Sequence, residues 1–244
     1  MKIRYALLPA VAMLAAACTT RPIQPRLGSI DLDTLIGTRD AGCNITYRFA
    51  TIANAQDSPA LTTIEESALC SFFELEAFTG TPRQAMNEAI GQITQELLPA
   101  VGENSPAWGS YEISVESEAS VVDTLLCYAI TRSSFTGGAH GSYTTEYHTY
   151  SLDGGYELCL ADLFQEAQLA RMDELVRHNL YAAYNAQTKE EMAAQGFFPE
   201  YFSLTENFRI SPEGITFLYN PYDIGCYALG PVEVGVSSEE LHAL

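Results

Sequence analysis

Hydrophobic and polar positions along the chain change period several times, and each change marks an element. Residues 44–52 alternate, with Ile45, Tyr47 and Phe49 on one side, which predicts a half-buried strand. Over residues 62–73 the period becomes helical, with Ile64, Ala68, Leu69 and Phe72 on one face. A second helix is marked by its ends: Thr81 stands at the cap, Pro82 at the first helical position, and Gly102 after the last turn. Its stripe of Met86, Ile90, Ile93 and Leu97 predicts core. Residues 111–115, 123–132 and 142–150 return to alternation with β-branched and aromatic side chains, and Asp153-Gly154-Gly155 turns the chain before Tyr156. An antiparallel meander is expected there.

Helical spacing reappears over residues 161–185 through Leu169, Met172, Leu175, Val176 and Leu180. A short helix follows, with Thr188 and Glu191 as a capping box and Gly196 as its stop. Residues 208–210 and 215–219 flank Pro212-Glu213-Gly214 as a hairpin, residues 232–236 add a strand, and Ser237 with Glu240 caps a terminal turn. Strands and helices segregate instead of alternating, so the expected class is α+β, with helices packed on antiparallel sheets. No repeat of solenoid length occurs.

The amino terminus has a different pattern. Lys2 and Arg4 precede an apolar stretch that runs to Leu14, then Ala15-Ala16-Ala17-Cys18, the charged, apolar, small-residue order of a secretory signal. The stretch falls short of the roughly 20 apolar residues that cross a bilayer. Residues 1–17 are expected to be removed. Cys18 after three small residues resembles the bacterial lipoprotein signal, which implies diacylation of Cys18 and a membrane anchor. The expected organisation is a signal peptide over 1–17, a lipidated terminus and tether over 18–29, and two α+β subdomains over 30–157 and 158–244.

Charge narrows the partners. The chain has 12 Lys+Arg against 31 Asp+Glu, and Lys189 is the only lysine after Lys2. Nucleic acid is excluded as an expected partner, because phosphate backbones are bound by basic stripes. The same acidity attracts cationic proteins over a distance. Cys43, Cys70, Cys127, Cys159 and Cys226 leave an odd number after Cys18, so at least one stays free even where an oxidising compartment pairs others.

Candidate chemistry is sparse. The run Thr136-Gly137-Gly138-Ala139-His140-Gly141 is dense in small residues, but it feeds a strand, whereas a phosphate cradle feeds a helix amino terminus. His140 and His148 lie more than ~20 Å apart along an extended strand and cannot share one ion. Glu146 and His148 share a strand face and are expected to pair at the surface. His178 and His242 have no cysteines or acids clustered near them in sequence; no HExxH, CxxC or Gly-x-Ser-x-Gly motif occurs, and no metal, cofactor or catalytic set is expected.

The Gly-Gly-Ala-His-Gly run at residues 137–141, the turn at Asp153-Gly154 and the later Asp162-Leu163-Phe164 resemble a linked pair of bacterial families, the domains of unknown function 4163 and 3298. Residues 208–227, Gly230 and residues 232–234 resemble the closing strands and loop of the second. The resemblance implies an α+β fold of two closely packed subdomains. It occurs in exported lipoproteins, ahead of some polysaccharide deacetylases, and in the outer part of anti-sigma factors that sense lysozyme. The resulting expectation is a non-catalytic binding module for a basic protein such as lysozyme. Its candidate contacts are Gly137, Gly138, His140, Pro221, Tyr222 and Tyr227. A small wall-active hydrolase, using His140 or His148 beside a carboxylate, and a passive envelope lipoprotein are the alternatives.

Overall fold

Alternation of Ile30, Leu32 and Ile36 with Asp31, Asp33 and Leu35 makes an edge strand, β1 (Leu27–Gly37), at the start of a computed structural model that describes residues 21–38, 42–104 and 111–244. The leader, Cys18 and the first part of the tether lie outside these residues. β1 begins inside the segment expected to be tether. It pairs antiparallel with β2 (Gly42–Ile52) from Leu27 opposite Ile52 to Gly37 opposite Gly42.

After β2 the Ser58 hydroxyl accepts the N–H groups of Ala60 (3.1 Å) and Leu61 (3.4 Å), and Pro59 opens α1 (Pro59–Phe73). α2 (Pro82–Asn104) opens on a reciprocal Thr81–Gln84 box and runs past Gly102, where a stop was expected. Glycine weakens a helix interior by about 1 kcal/mol but does not by itself end it. β3 (Tyr111–Val122) then pairs with β2 in parallel, Cys43 opposite Tyr111 to Arg48 opposite Glu116, with the two helices as the crossover. This pair departs from the all-antiparallel expectation.

β4 (Leu125–Phe135) and β5 (Ser142–Ser151) complete the expected meander and a sheet of order β1-β2-β3-β4-β5. Asp123, expected as the start of a strand, instead has φ of 55° in the two-residue turn before β4. The helical pattern over 161–185 is two helices, α3 (Leu160–Leu163) and α4 (Glu166–Ala183), because Phe164 is extended between them. α5 (Lys189–Ala194) ends at Gly196, whose φ is 97°. β6 (Phe208–Ser211), β7 (Gly214–Tyr219) and β8 (Val232–Ser237) form an antiparallel three-stranded sheet, and α6 (Ser238–His242) is capped by Ser237 and Glu240 as expected.

The molecule has two cores. One face of the larger sheet sets Ile45, Tyr47, Phe49, Leu126, Tyr128 and Ile130 against Ile64, Leu69 and Phe72 of α1 and Met86 of α2. Phe49 and Phe72 meet edge to face at 5.1 Å. The second core joins Phe217 and Val234 to Met172, Val176 and Leu180 of α4, and takes Leu125 and Cys127 from the opposite face of β4. The smaller layer covers only part of that opposite face. On β1, β2 and β3 the same face carries Asp31, Asp33, Thr46, Arg48, Glu112, Ser114, Glu116 and Glu118 at the surface.

Candidate ligand-binding surface

Two loops far apart in sequence come together, and side-chain amides join them. Asn220 accepts the Thr145 N–H through Oδ1 (2.7 Å) and donates to the Thr145 carbonyl through Nδ2 (3.0 Å). Asn207 does the same one step along, accepting from Tyr147 N–H (2.8 Å) and donating to Thr145 O (2.9 Å). These amides complete the edge of β5 where a further strand would otherwise pair. They hold the 220–227 loop against the hairpin that ends at His140.

Gly137 (φ 95°) and Gly138 (φ 99°) make the turn between β4 and β5, a backbone region that side chains avoid. Beyond the turn, the His140 ring stacks on Tyr227 at 4.1 Å between centroids. Tyr143 meets Tyr227 edge to face at 5.7 Å, and Tyr222 lies tilted over it at 5.9 Å. The Tyr227 hydroxyl donates to Gly141 O (2.8 Å), so that ring is fixed while remaining partly open to solvent. Tyr222 is 60% exposed.

The Tyr222 backbone is unusual. Pro221 and Tyr222 are the central residues of a turn closed by the Asp223 N–H donating to Asn220 O (3.0 Å), and the Tyr222 N–H donates to Gly225 O (3.1 Å). The Tyr222 φ of 77° is that of the third position of a type II turn, where glycine is the usual residue. Holding a tyrosine there costs roughly 1–2 kcal/mol.

Beside this cluster runs a groove of about 550 Å³ on the outer face of the larger sheet. Asn44, Thr46, Glu112, Ser114 and Ser133 line its floor. Tyr143 and Tyr227 form its wall. Tyr143 and the floor residues were not among the expected contacts. Their signal was the outward half of each alternating strand, which reads as ordinary solvated surface until the wall is known. The surrounding charge is negative: Arg48 holds the Asp33 carboxyl below its ordinary range through paired hydrogen bonds of 2.8 Å, and Asp31, Glu112, Glu116 and Glu118 add carboxylates to the same face.

The remaining candidates fall elsewhere. His148 pairs with Glu157 (2.7 Å) more closely than with Glu146 (4.0 Å), the partner expected from sequence. Strand alternation does put Glu146 on its face, but Arg132 draws that carboxylate to 2.6 Å. Neither His140 nor His148 lines the groove beside Tyr227 or the one around Arg132 and Glu74. Among the described residues no group of three or more His, Cys, Asp or Glu could hold a metal ion. His178 faces Glu240, whose carboxyl is held below its ordinary range mainly by Ser237 and slightly by that imidazole. Cys43, Cys70, Cys127, Cys159 and Cys226 are all free thiols: Cys43 and Cys127 are buried, Cys70 and Cys226 half-buried, and Cys159 is exposed and hydrogen-bonded to Asp162 (3.1 Å). No helix among the described residues is long and apolar enough to cross a membrane.

The fold recurs in known proteins. The chain is similar to a DUF3298 family member from Bacteroides fragilis at 27% identity, covering 92% of this chain and 95% of that one with a TM-score of 0.82. A DUF3298 family protein from Pseudomonas aeruginosa, 17% identical, shares the fold over 90% of this chain and 94% of its own with a TM-score of 0.64. No curated protein matches the chain. The model of a family described as "Protein of unknown function (DUF3298)" matches residues 161–239, which hold most of the second core and the Tyr222–Tyr227 loop. His140 and its glycines lie outside that match, and the likeness of residues 30–157 to domain 4163 stays an expectation. Over residues 161–239 the chain is therefore similar to the DUF3298 family, whose function is unknown.

Proposed function

We propose that the chain is a cell-envelope protein, anchored by lipid on Cys18 and facing the periplasm or the cell surface, that binds a basic secreted or envelope protein such as lysozyme without doing chemistry on it. The amino-terminal pattern through Ala15-Ala16-Ala17-Cys18 supports the anchor. Mass spectrometry of protein recovered from membranes is expected to find acyl chains on an amino-terminal Cys18, and an intact leader on a cytosolic product would overturn it.

The binding reading rests on Tyr222. A large ring, 60% exposed, occupies a turn position where glycine is cheaper, and three further rings brace the same patch. Local backbone strain of this kind persists where a side chain is wanted at the surface for contact. Exposed tyrosines on a rigid turn are typical anchors of protein interfaces. The acidic face alongside favours a cationic partner and sets a salt-dependent encounter rate.

The variant Tyr222→Gly separates contact from stability. It relieves the positive φ, so thermal stability is expected to hold or to rise by up to about 1 kcal/mol. Affinity for hen lysozyme, measured by surface plasmon resonance on the full mature chain, is expected to fall by roughly tenfold. It should also weaken between about 20 mM and about 150 mM salt. Absence of binding at low salt, or binding that Tyr222→Gly leaves unchanged, would overturn the reading.

A further inference from the structure

Two hydroxyls on the groove floor share a hydrogen-bonding polarity. The Thr46 hydroxyl donates its proton to Asp33 (3.1 Å) and the Ser114 hydroxyl donates to Glu116 (3.3 Å). A hydroxyl has one proton and two lone pairs, so both oxygens are left to accept. Glu112, an acceptor only, extends the same row. This row of the floor thus asks for donors on the ligand, while Asn44 and Ser133 beside it carry donors of their own.

Its wall asks for something else. Tyr143 and Tyr227 present aromatic surface, and the Tyr227 ring is held by the His140 stack, by Tyr143 and by its own bond to Gly141 O. A ring fixed before the ligand arrives loses little freedom on binding. Among the described residues no lysine or arginine lines the groove, so phosphate and carboxylate ligands find no counter-charge from them. The polar floor is equally unsuited to an acyl chain.

A sugar ring meets both demands, since its hydroxyls or amides donate while its C–H face lies against an aromatic ring. We propose that this groove binds a neutral or amino-bearing oligosaccharide, with one ring against Tyr227 and Tyr143 and its donors on Thr46, Ser114 and Glu112. The proposal goes beyond protein binding: the two surfaces meet at Tyr227, but the floor belongs to the sheet, whereas the proposed protein contact is centred on the exposed ring of Tyr222.

Titration calorimetry on the full mature chain tests it with two probes, chitotetraose bearing N-acetyl groups and unsubstituted cellotetraose. Binding of at least one is expected at or below about 10 mM, and the preferred probe reports whether an acetamido group is read. Ser133→Trp fills the groove from the exposed floor of β4 and is expected to weaken that binding by at least roughly tenfold. Thr46→Val, which removes one acceptor and keeps the shape, is expected to weaken it by roughly three- to tenfold. Lysozyme affinity and melting temperature should hold in Thr46→Val, and Tyr222→Gly should leave sugar binding intact, so either function can fail alone. No binding of either probe at about 10 mM, binding unchanged in both groove variants, or tighter binding of a sulfated oligosaccharide would overturn the proposal.

Discussion

Glu65 shows how one buried charge is accommodated. It lies on α1 with 6% of its surface exposed, and its carboxylate accepts the Thr51 hydroxyl (2.5 Å) and the Ile52 N–H (2.8 Å). Burial pushes its pKa up, and the two hydrogen bonds only partly counter that. The neighbouring Tyr128 hydroxyl is buried with no hydrogen-bond partner, and burial also drives Tyr150, whose hydroxyl lies 3.2 Å from that of Ser67, up to about 12. A carboxyl with a raised folded-state pKa binds its proton more tightly when folded. Its contribution to stability is therefore complete below the ordinary carboxylate range and is lost as pH rises through the raised value. Glu65→Gln keeps the shape and removes the titration. Urea unfolding is expected to show the variant gaining on the wild type from about pH 4 to about pH 7. A stability difference that stays flat over that range would mean the carboxyl titrates alike in both states.

Elements with their own end signals were legible in the sequence. Thr81-Pro82 does open α2, Gly196 does end α5, and Ser237 with Glu240 does cap α6. β1 was legible in principle, since Ile30, Leu32 and Ile36 alternate, but Asp31 and Asp33 are poor strand formers and Gly28-Ser29 read as linker. Its long register with β2 supplies what its composition lacks. The parallel β2–β3 pair was not legible because periodicity carries no strand direction. Each candidate loop was visible as a run of unusual residues, Gly137 to Gly141 and Pro221 to Tyr227. Their meeting was not, because it depends on the amides of Asn207 and Asn220 reaching β5 across 60 to 75 residues of chain. An asparagine before a proline reads as a turn residue, and only the edge it seals gives it a second role.

At the scale of the whole molecule, β4 decides whether the two cores behave as one. Leu126, Tyr128 and Ile130 point into the first core, while Leu125 and Cys127, alternating with them, point into the second. The Cys127 thiol also donates to Ile210 O of β6, and Tyr147 on β5 donates its hydroxyl to Glu233 of β8 (2.7 Å). Neither layer can lose its order without exposing the other face of a strand its neighbour needs. A single cooperative transition follows. Leu125→Ala removes packing from the second core only, at a cost of about 2–5 kcal/mol. If the layers are one unit, native-state hydrogen exchange will show the slowest amides of β2, in the first sheet, and of β7, in the second, losing the same free energy of protection. Loss confined to β7, with β2 unchanged, would show that the smaller layer opens by itself and that the groove and its tyrosine wall can separate.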